Sequence, residues 1–239
     1  MKTFLILPAR LDSSRLKHKL LRKIGKLCLI EHMIIVAKRV KNTKIIVATD
    51  SIDICDYAKK YEVEYILSRK KFNNGSERVF HAAKKFNAKS NDIIVNLQAD
   101  EFNINYRIIN RLINFLLTKP IHAVATPIYP CINKKDYLNR DNVKVILDNK
   151  SKAITFSRHP ISSAKSYHYI HMGIYAYRFK SLFNYVRYGL CDYELNESLE
   201  QLRMIWNNVP VHCLITKKDD SIGINSLNDL KKARKFYGN

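Results

Sequence analysis

Glycine and proline are scarce in this 239-residue chain, six of each, and it holds a single tryptophan. There is no Gly/Ser/Pro linker, no low-complexity segment and no internal repeat, so residues 1–239 read as one domain. No apolar run approaches the ~18–20 residues that a membrane span needs, which excludes insertion into a bilayer as a helix. The five cysteines (Cys28, Cys55, Cys131, Cys191, Cys213) are odd in number, scattered and free of any C-x-x-C pair. That excludes a disulfide frame or a zinc site and fits the reduced thiols of a cytoplasmic protein. The stretch Met1–Pro8 carries one Lys and too short an apolar segment for a secretory signal, which points the same way.

Acids are scarce as well. Against 42 Lys plus Arg stand 21 Asp plus Glu, a formal net charge of +21. Such a chain can bind nucleic acid, an anionic surface or small anionic substrates. The basic residues are spread evenly, however, and richness in Lys, Ile and Asn beside few Gly also fits a general compositional drift. Closely interleaved aromatics and cations on one strand, and zinc-finger patterns, are both absent, so no specific nucleic-acid partner is expected.

What is present alternates. Hydrophobic residues make up 46% of the chain, in short apolar strands separated by amphipathic helices, the pattern of a mostly parallel sheet covered by helices. Strands are predicted at Thr3–Leu7, Lys44–Ala48, Glu64–Leu67 and Ile93–Leu97. Helices are predicted at Leu29–Val40, from Ser51 to about Tyr61, at Ser76–Phe86 and at Asn105–Leu117. The second half is less regular, with strands of mixed direction at Ala123–Ile128, Val143–Leu147, Ala153–Phe156, Tyr169–Tyr177 and Val211–Ile215. Helices are predicted at Asn196–Trp206 and Ser226–Tyr237, the latter opened by a Ser226/Asp229 capping pair. In such an α/β fold ligands bind at the carboxyl ends of the strands.

Several stretches carry possible chemistry. The loop Pro8–Leu20 places Arg10, Arg15 and Lys19 just past the first strand. It matches neither G-x-x-x-x-G-K-[ST] nor G-x-G-x-x-G, so it is either a side-chain grip for a triphosphate or an ordinary solvated basic loop. The strand Val95–Leu97 runs through Gln98 into Asp100 and Glu101, either a magnesium ligand at the ligand edge or an acid pair before a helix. Only one of two adjacent carboxylates in an extended segment can face that edge. Phe72–Arg78 is a turn that opens a helix, able to recognise a base or an anion or simply to cap. On Tyr169–Tyr177, His171, Gly173 and Tyr175 share one face at period two. Glu194, Glu197, Glu200, Gln201 and Arg203 gather around the helix ending near Trp206, on which Glu197, Glu200 and Gln201 lie together at helical spacing.

In this order and spacing, the set resembles the 3-deoxy-manno-octulosonate cytidylyltransferase family nearly end to end. The matching pieces include Pro8-Ala9-Arg10 with Arg15-Leu16 and Lys19, Ile45–Asp50, Gly75–Arg78, Val95–Glu101 and Asn142–Val145. Phe156–Arg158, His171–Tyr175 and Leu199–Arg203 follow. The resemblance implies a Rossmann-like α/β nucleotidyltransferase fold with a mixed central sheet, and the reaction CTP + Kdo → CMP-Kdo + pyrophosphate, where Kdo is 3-deoxy-D-manno-octulosonate, for lipopolysaccharide synthesis. It also implies nucleotide binding by Pro8, Ala9, Arg10, Arg15, Lys19, Gly75 and Gln98. Sugar-acid binding falls to Arg158, His171, Tyr175, Glu200 and Gln201, and the catalytic candidates are Lys19 and Asp100. The implied cofactor is Mg²⁺ on Asp100, and the implied assembly is a soluble homodimer, for which Tyr167, Tyr169, Phe183 and Tyr185 are candidate surface residues.

The sequence also departs from the family. Two prolines and a glycine of the first loop are replaced, so that Arg15–Leu21 is less pre-set, and Ala99 stands where the family has Gly. The family's second magnesium ligand, an Asp, is Asn225 here, an amide that brings no charge. Two alternatives follow: a non-catalytic or weakly active nucleotide- or polyanion-binding relative, or a cytidylyltransferase for a related sugar acid.

Overall fold

The computed structural model describes residues 1–13, 15–119, 121, 123–161 and 168–238. Ser14 of the basic loop and Tyr167 lie outside these. The chain begins with β1 (Thr3–Ala9), a 3₁₀ turn (Lys19–Leu21), and a hairpin of β2 (Lys23–Ile24) and β3 (Leu27–Cys28). Then come α1 (Leu29–Lys38), β4 (Lys44–Thr49), α2 (Ile52–Lys60), β5 (Glu64–Leu67), α3 (Gly75–Lys85) and β6 (Ile93–Asn96). The second half opens with β7 (Glu101–Phe102), α4 (Tyr106–Thr118), β8 (Val124–Pro130), α5 (Lys134–Leu138), β9 (Lys144–Leu147) and β10 (Ala153–Ser157). It continues with β11 (Tyr169–His171), β12 (Tyr175–Arg178), α6 (Phe179–Arg187), α7 (Asp192–Glu197) and α8 (Leu202–Trp206). It closes with β13 (Val211–Ile215), β14 (Ile222–Gly223) and α9 (Leu227–Gly238).

Among the described residues a ten-stranded mixed sheet runs in the order β10-β9-β11-β8-β12-β6-β1-β4-β5, with β13 also paired to β8. β1 lies between β6 and β4, parallel to both. Both faces of β1 are buried. Leu5 and Leu7 pack into the cluster that holds Met33 and Ile34 of α1 and Leu112 of α4. Phe4 and Ile6 point the other way, into the cluster with Val79 of α3 and Leu182 of α6. A strand covered on both sides needs no polar alternation, which is why Thr3–Leu7 reads as an unbroken apolar run. Among the described residues no helix is long and apolar enough to cross a membrane.

Two expected elements are divided. The strand predicted over Tyr169–Tyr177 breaks at Met172–Ile174, where Gly173 takes φ +68°, a left-handed conformation open to glycine. β11 and β12 both pair antiparallel with β8, along Ile128–Pro130 and Val124–Ala125, and the register shifts by two residues across that turn. Gly173 is thus outside a strand, while the His171 and Tyr175 ring centroids stay 5.1 Å apart and all three residues line the same cavity. The helix predicted over Asn196–Trp206 is likewise two helices. Ser198, at φ 52°, ends α7 and turns Leu199 into the core. Glu200 and Gln201 sit in the link before α8, apart from Glu197. Two helices appear where none was expected, α5 and α6, and α6 buries Leu182 and Tyr185. Tyr185 is thus core and unavailable to a partner surface. The Ser226/Asp229 pair does cap α9: the Asp229 amide donates to Ser226 Oγ (3.2 Å) and the Ser226 amide to Asp229 Oδ2 (2.9 Å).

Candidate active site

Pairing of Ala9 with Thr49 and of Ile6 with Asn96 sets the carboxyl ends of β1, β4 and β6 side by side. The chain leaving these ends builds a cleft with a cavity volume of about 220 Å³, lined by Pro8, Arg10, Arg15, Lys19, Gly75, Gln98, Asp100 and Asn225. Ala9 is fully buried and gives this lining no side chain. After His18, in the left-handed region at φ 52°, the 3₁₀ turn brings Lys19 inward. Its Nζ donates to Asp100 Oδ2 at 2.5 Å and to the Ile224 carbonyl at 2.9 Å. Arg15 donates to Asn225 Oδ1 at 2.9 Å, so the basic loop and the segment before α9 meet across the cleft. Asp50, at the end of β4, accepts from the Leu11 amide (2.9 Å) and from Arg78 (2.8 Å), which fastens the same loop to α3.

The opposite wall is the start of α3. Asn74 caps it by accepting from the Glu77 amide at 3.0 Å, and Glu77 in turn accepts from the Asn73 amide at 3.0 Å. A Cβ on Gly75 would lie 2.9 Å from Gln98 Nε2, so a larger residue there would push the Gln98 amide aside. Of the adjacent acids, Asp100 lines the cleft and Glu101 does not. Glu101 pairs with Gly223 in the β7–β14 ladder. Loss of water, and then the neighbouring Asp100, push its pKa up to about 8.

A second cavity of about 630 Å³ shares Asn73, Asn74, Gly75 and Gln98 with the first, and is lined further by Arg158, His171, Tyr175, Glu200 and Gln201. The His171 ring accepts from the Gly173 amide at Nδ1 (3.3 Å), so its proton is on Nε2, directed at Thr126 Oγ1 (2.8 Å). Thr126 donates onward to the Ile174 carbonyl (2.6 Å). Loss of water pushes the His171 pKa down to about 3, so the ring is neutral. Burial pushes the Tyr175 phenol well up, and its hydroxyl has no hydrogen-bond partner among the described residues. A buried, unpartnered donor beside a cavity is costly unless a ligand satisfies it. Arg158 is held by Glu197, whose carboxylate takes its amide (2.8 Å) and whose carbonyl takes Nε (3.1 Å). The fully buried Lys144 donates to the Arg158 carbonyl at 2.8 Å. Burial raises the Glu200 pKa, opposed by hydrogen bonds from Ser76.

Every residue to which the resemblance gives a site role, except Ala9, thus lines one of two adjoining cavities, whereas Glu101 and Glu197 line neither. Asn74 and Arg78 of the Phe72–Arg78 turn, and Glu194, line them too, although the resemblance gives them no role. Leu190, Leu195 and Ser198 of the second cavity were not singled out by the sequence. Glu194 forms a buried bidentate pair with Arg203 at 2.6 and 2.7 Å.

Residues 4–218 match the sequence model of the cytidylyltransferase family. The chain is 32% identical to the 3-deoxy-manno-octulosonate cytidylyltransferase of Francisella tularensis subsp. tularensis (strain FSC 198), over 98% of this chain and 97% of that one. It is 32% identical to the protein of the same name from Hahella chejuensis (strain KCTC 2396), over 96% and 95% of the two chains. In three dimensions it resembles the CMP:2-keto-3-deoxy-manno-octonic acid synthetase complexed with CTP. That match has a TM-score of 0.91 and 29% identity, and covers 99% of this chain and 98% of that one. The mixed sheet with its helices is therefore the α/β nucleotidyltransferase fold.

Proposed function

The chain belongs to the cytidylyltransferase family, and from that premise we propose that it transfers CMP from CTP to Kdo, releasing pyrophosphate. The observation that carries this reading is the junction of two cavities at Gly75 and Gln98. One is lined by Arg10, Arg15 and Lys19, cations fit for a triphosphate, and the other by Arg158, a cation fit for a sugar-acid carboxylate. A nucleotide in the first would present its α-phosphorus to a hydroxyl held in the second. The anomeric hydroxyl of Kdo gives up its proton to solvent as its oxygen bonds to that phosphorus, the bond to the β-phosphate oxygen breaks, and pyrophosphate leaves with the electron pair. The unpartnered Tyr175 hydroxyl offers a hydrogen bond to a sugar hydroxyl, while Arg10, Arg15 and Lys19 spread the charge of the leaving group.

The cleft also suits a hard divalent cation. Its facing oxygen donors are the Asp100 carboxylate and the Asn225 amide oxygen, and magnesium takes one or two protein oxygens together with phosphate oxygens. Mg²⁺ held there would neutralise phosphate charge and make the sugar hydroxyl easier to ionise. We place the activity in the cytoplasm, where its product would feed lipopolysaccharide synthesis. We also propose a homodimer, formed through the apolar surface of β10, α7 and α8. Ile154 is 53% exposed there, Tyr193 53% and Trp206 61%, and apolar side chains exposed together on packed elements suit a partner surface. The direct test of the reaction is product identification by mass spectrometry after incubation with CTP, Kdo and Mg²⁺. A CMP-Kdo adduct supports the proposal. A CMP adduct of another sugar acid alone points to the related-substrate alternative, and CTP binding with no adduct points to a non-catalytic relative.

A further inference from the structure

A chain of buried polar side chains links the sugar cavity to the nucleotide cleft. Glu200 accepts from Ser76 Oγ on Oε1 (2.9 Å) and from the Ser76 amide on Oε2 (3.4 Å). With both carboxylate oxygens accepting, the hydroxyl hydrogen of Ser76 is committed to Glu200. Ser76 Oγ can then only accept from its other neighbours, and it does so from Tyr177 (3.1 Å) and from Asn96 Nδ2 (3.3 Å). That sets the Asn96 amide with Oδ1 turned to Gln98, whose Nε2 donates to it at 3.2 Å. Ser76, Asn96 and Tyr177 are fully buried, so water offers no alternative partner. The network, rather than the amides themselves, decides which end of each is which. What remains of Gln98 is Oε1, an acceptor, with the second Nε2 hydrogen beside it, at the wall that the two cavities share.

We propose that Glu200, acting through Ser76 and Asn96, fixes the direction of the Gln98 amide so that it selects a hydrogen-bond donor on the bound nucleoside. Ser76 and Asn96 are then positioning residues. The inference rests on the nucleotide occupying the first cavity, and it deepens that reading into a rule of selectivity. Turning Gln98 over would set its oxygen against Asn96 Oδ1, two acceptors face to face. The network therefore resists a ligand that offers an acceptor at this point. Cytidine carries donors of two kinds, the exocyclic amine of the base and the ribose hydroxyls, and the test separates them.

Affinities of the full chain for CTP, UTP, 2′-deoxy-CTP and 3′-deoxy-CTP are measured by calorimetry with no sugar acid present. UTP exchanges the amine for a carbonyl, and the deoxy analogues remove one hydroxyl each. The parent is expected to prefer CTP to at least one analogue by about tenfold, the cost of an unmatched buried acceptor. Gln98→Ala should lose that preference. Ser76→Ala and Glu200→Gln should shrink it toward unity while CTP itself still binds, and the affected analogue identifies the donor. Glu200→Gln keeps the shape of the side chain and serves if Ser76→Ala does not fold. A preference unchanged in the variants, or a parent that binds all the analogues equally, overturns the inference. Absence of any nucleotide binding by the parent overturns instead the cytidylyltransferase reading on which it rests.

Discussion

On the same wall of the nucleotide cleft as Asp100, where the Ile224 amide donates to the Asp100 carbonyl at 2.9 Å, stands Asn225, an amide held by Arg15 at 2.9 Å. If Mg²⁺ sits between these oxygens, the protein supplies it with one negative charge in surroundings crowded by Arg10, Arg15 and Lys19. Activity should then saturate only at high magnesium, and Asn225→Asp should lower the requirement. Asp100→Asn should be far more damaging, about 100-fold in kcat, because a charge preorganised at the reacting phosphate is lost. It would also leave Lys19 Nζ with the Ile224 carbonyl in place of an ion pair. A magnesium titration of the three proteins checks this, and a curve unmoved by Asn225→Asp removes residue 225 from the metal. His171 gives a second prediction. Its folded pKa of about 3 lies below the ordinary 6.5, so between these values the unfolded chain binds the extra proton and stability falls as pH falls. From pH 7 to pH 5 the loss is roughly 2 kcal/mol. Glu101, raised to about 8, works in the opposite sense over the same interval, so the His171 contribution is read as a difference. In urea unfolding at both pH values, His171→Asn should lack that part of the slope. At this scale the sequence was informative, since the ordered motifs picked residues that line two joined cavities. Arg78 and Glu194 stood in stretches that the sequence singled out, yet their pairing with Asp50 and Arg203 could not be read from spacing alone.

The first-half elements were legible because β1, β4 and β6 are largely buried on both faces and each helix on one stripe, so periodicity and burial agree. The second half broke that agreement at particular residues. Gly173 and Ser198 turn the chain by adopting φ +68° and 52°, and nothing in the flanking apolar pattern marks the interruption. α6 was obscured by aromatics that serve both core and surface: Tyr185 is buried, while Phe183 of the same helix is 37% exposed. The link between α7 and α8 that carries Glu200 is held by Arg203, buried against Glu194 and seated over the Tyr185 ring at 4.5 Å. Burial works against the Arg203 charge, and the Glu194 carboxylate outweighs it, leaving the Arg203 pKa above its ordinary value. Removing one partner of such a pair strands the other charge. Arg203→Ala should therefore cost about 3–5 kcal/mol in urea unfolding. A loss under about 1 kcal/mol would mean that the pair is solvated in solution.

For the whole molecule, the net charge of +21 opposes self-association, so a dimer needs an apolar face to overcome it. Tyr193 and Trp206, with ring centroids 6.2 Å apart, are exposed beside β10, whose Ile154 is exposed too. Light scattering should give about twice the 27.9 kDa of one chain, and the double variant Ile154→Glu/Trp206→Glu should give a monomer. A parent that stays monomeric at micromolar concentration and moderate salt contradicts the dimer. The joining of a triphosphate cleft to a sugar-acid cavity is tested most directly by pyrophosphate release, measured with CTP alone, with Kdo alone, with both, and with ATP or GTP in place of CTP. The prediction is release with CTP and Kdo together and with no other combination. Release that is independent of Kdo, equal turnover with ATP, or no release at saturating magnesium would contradict it.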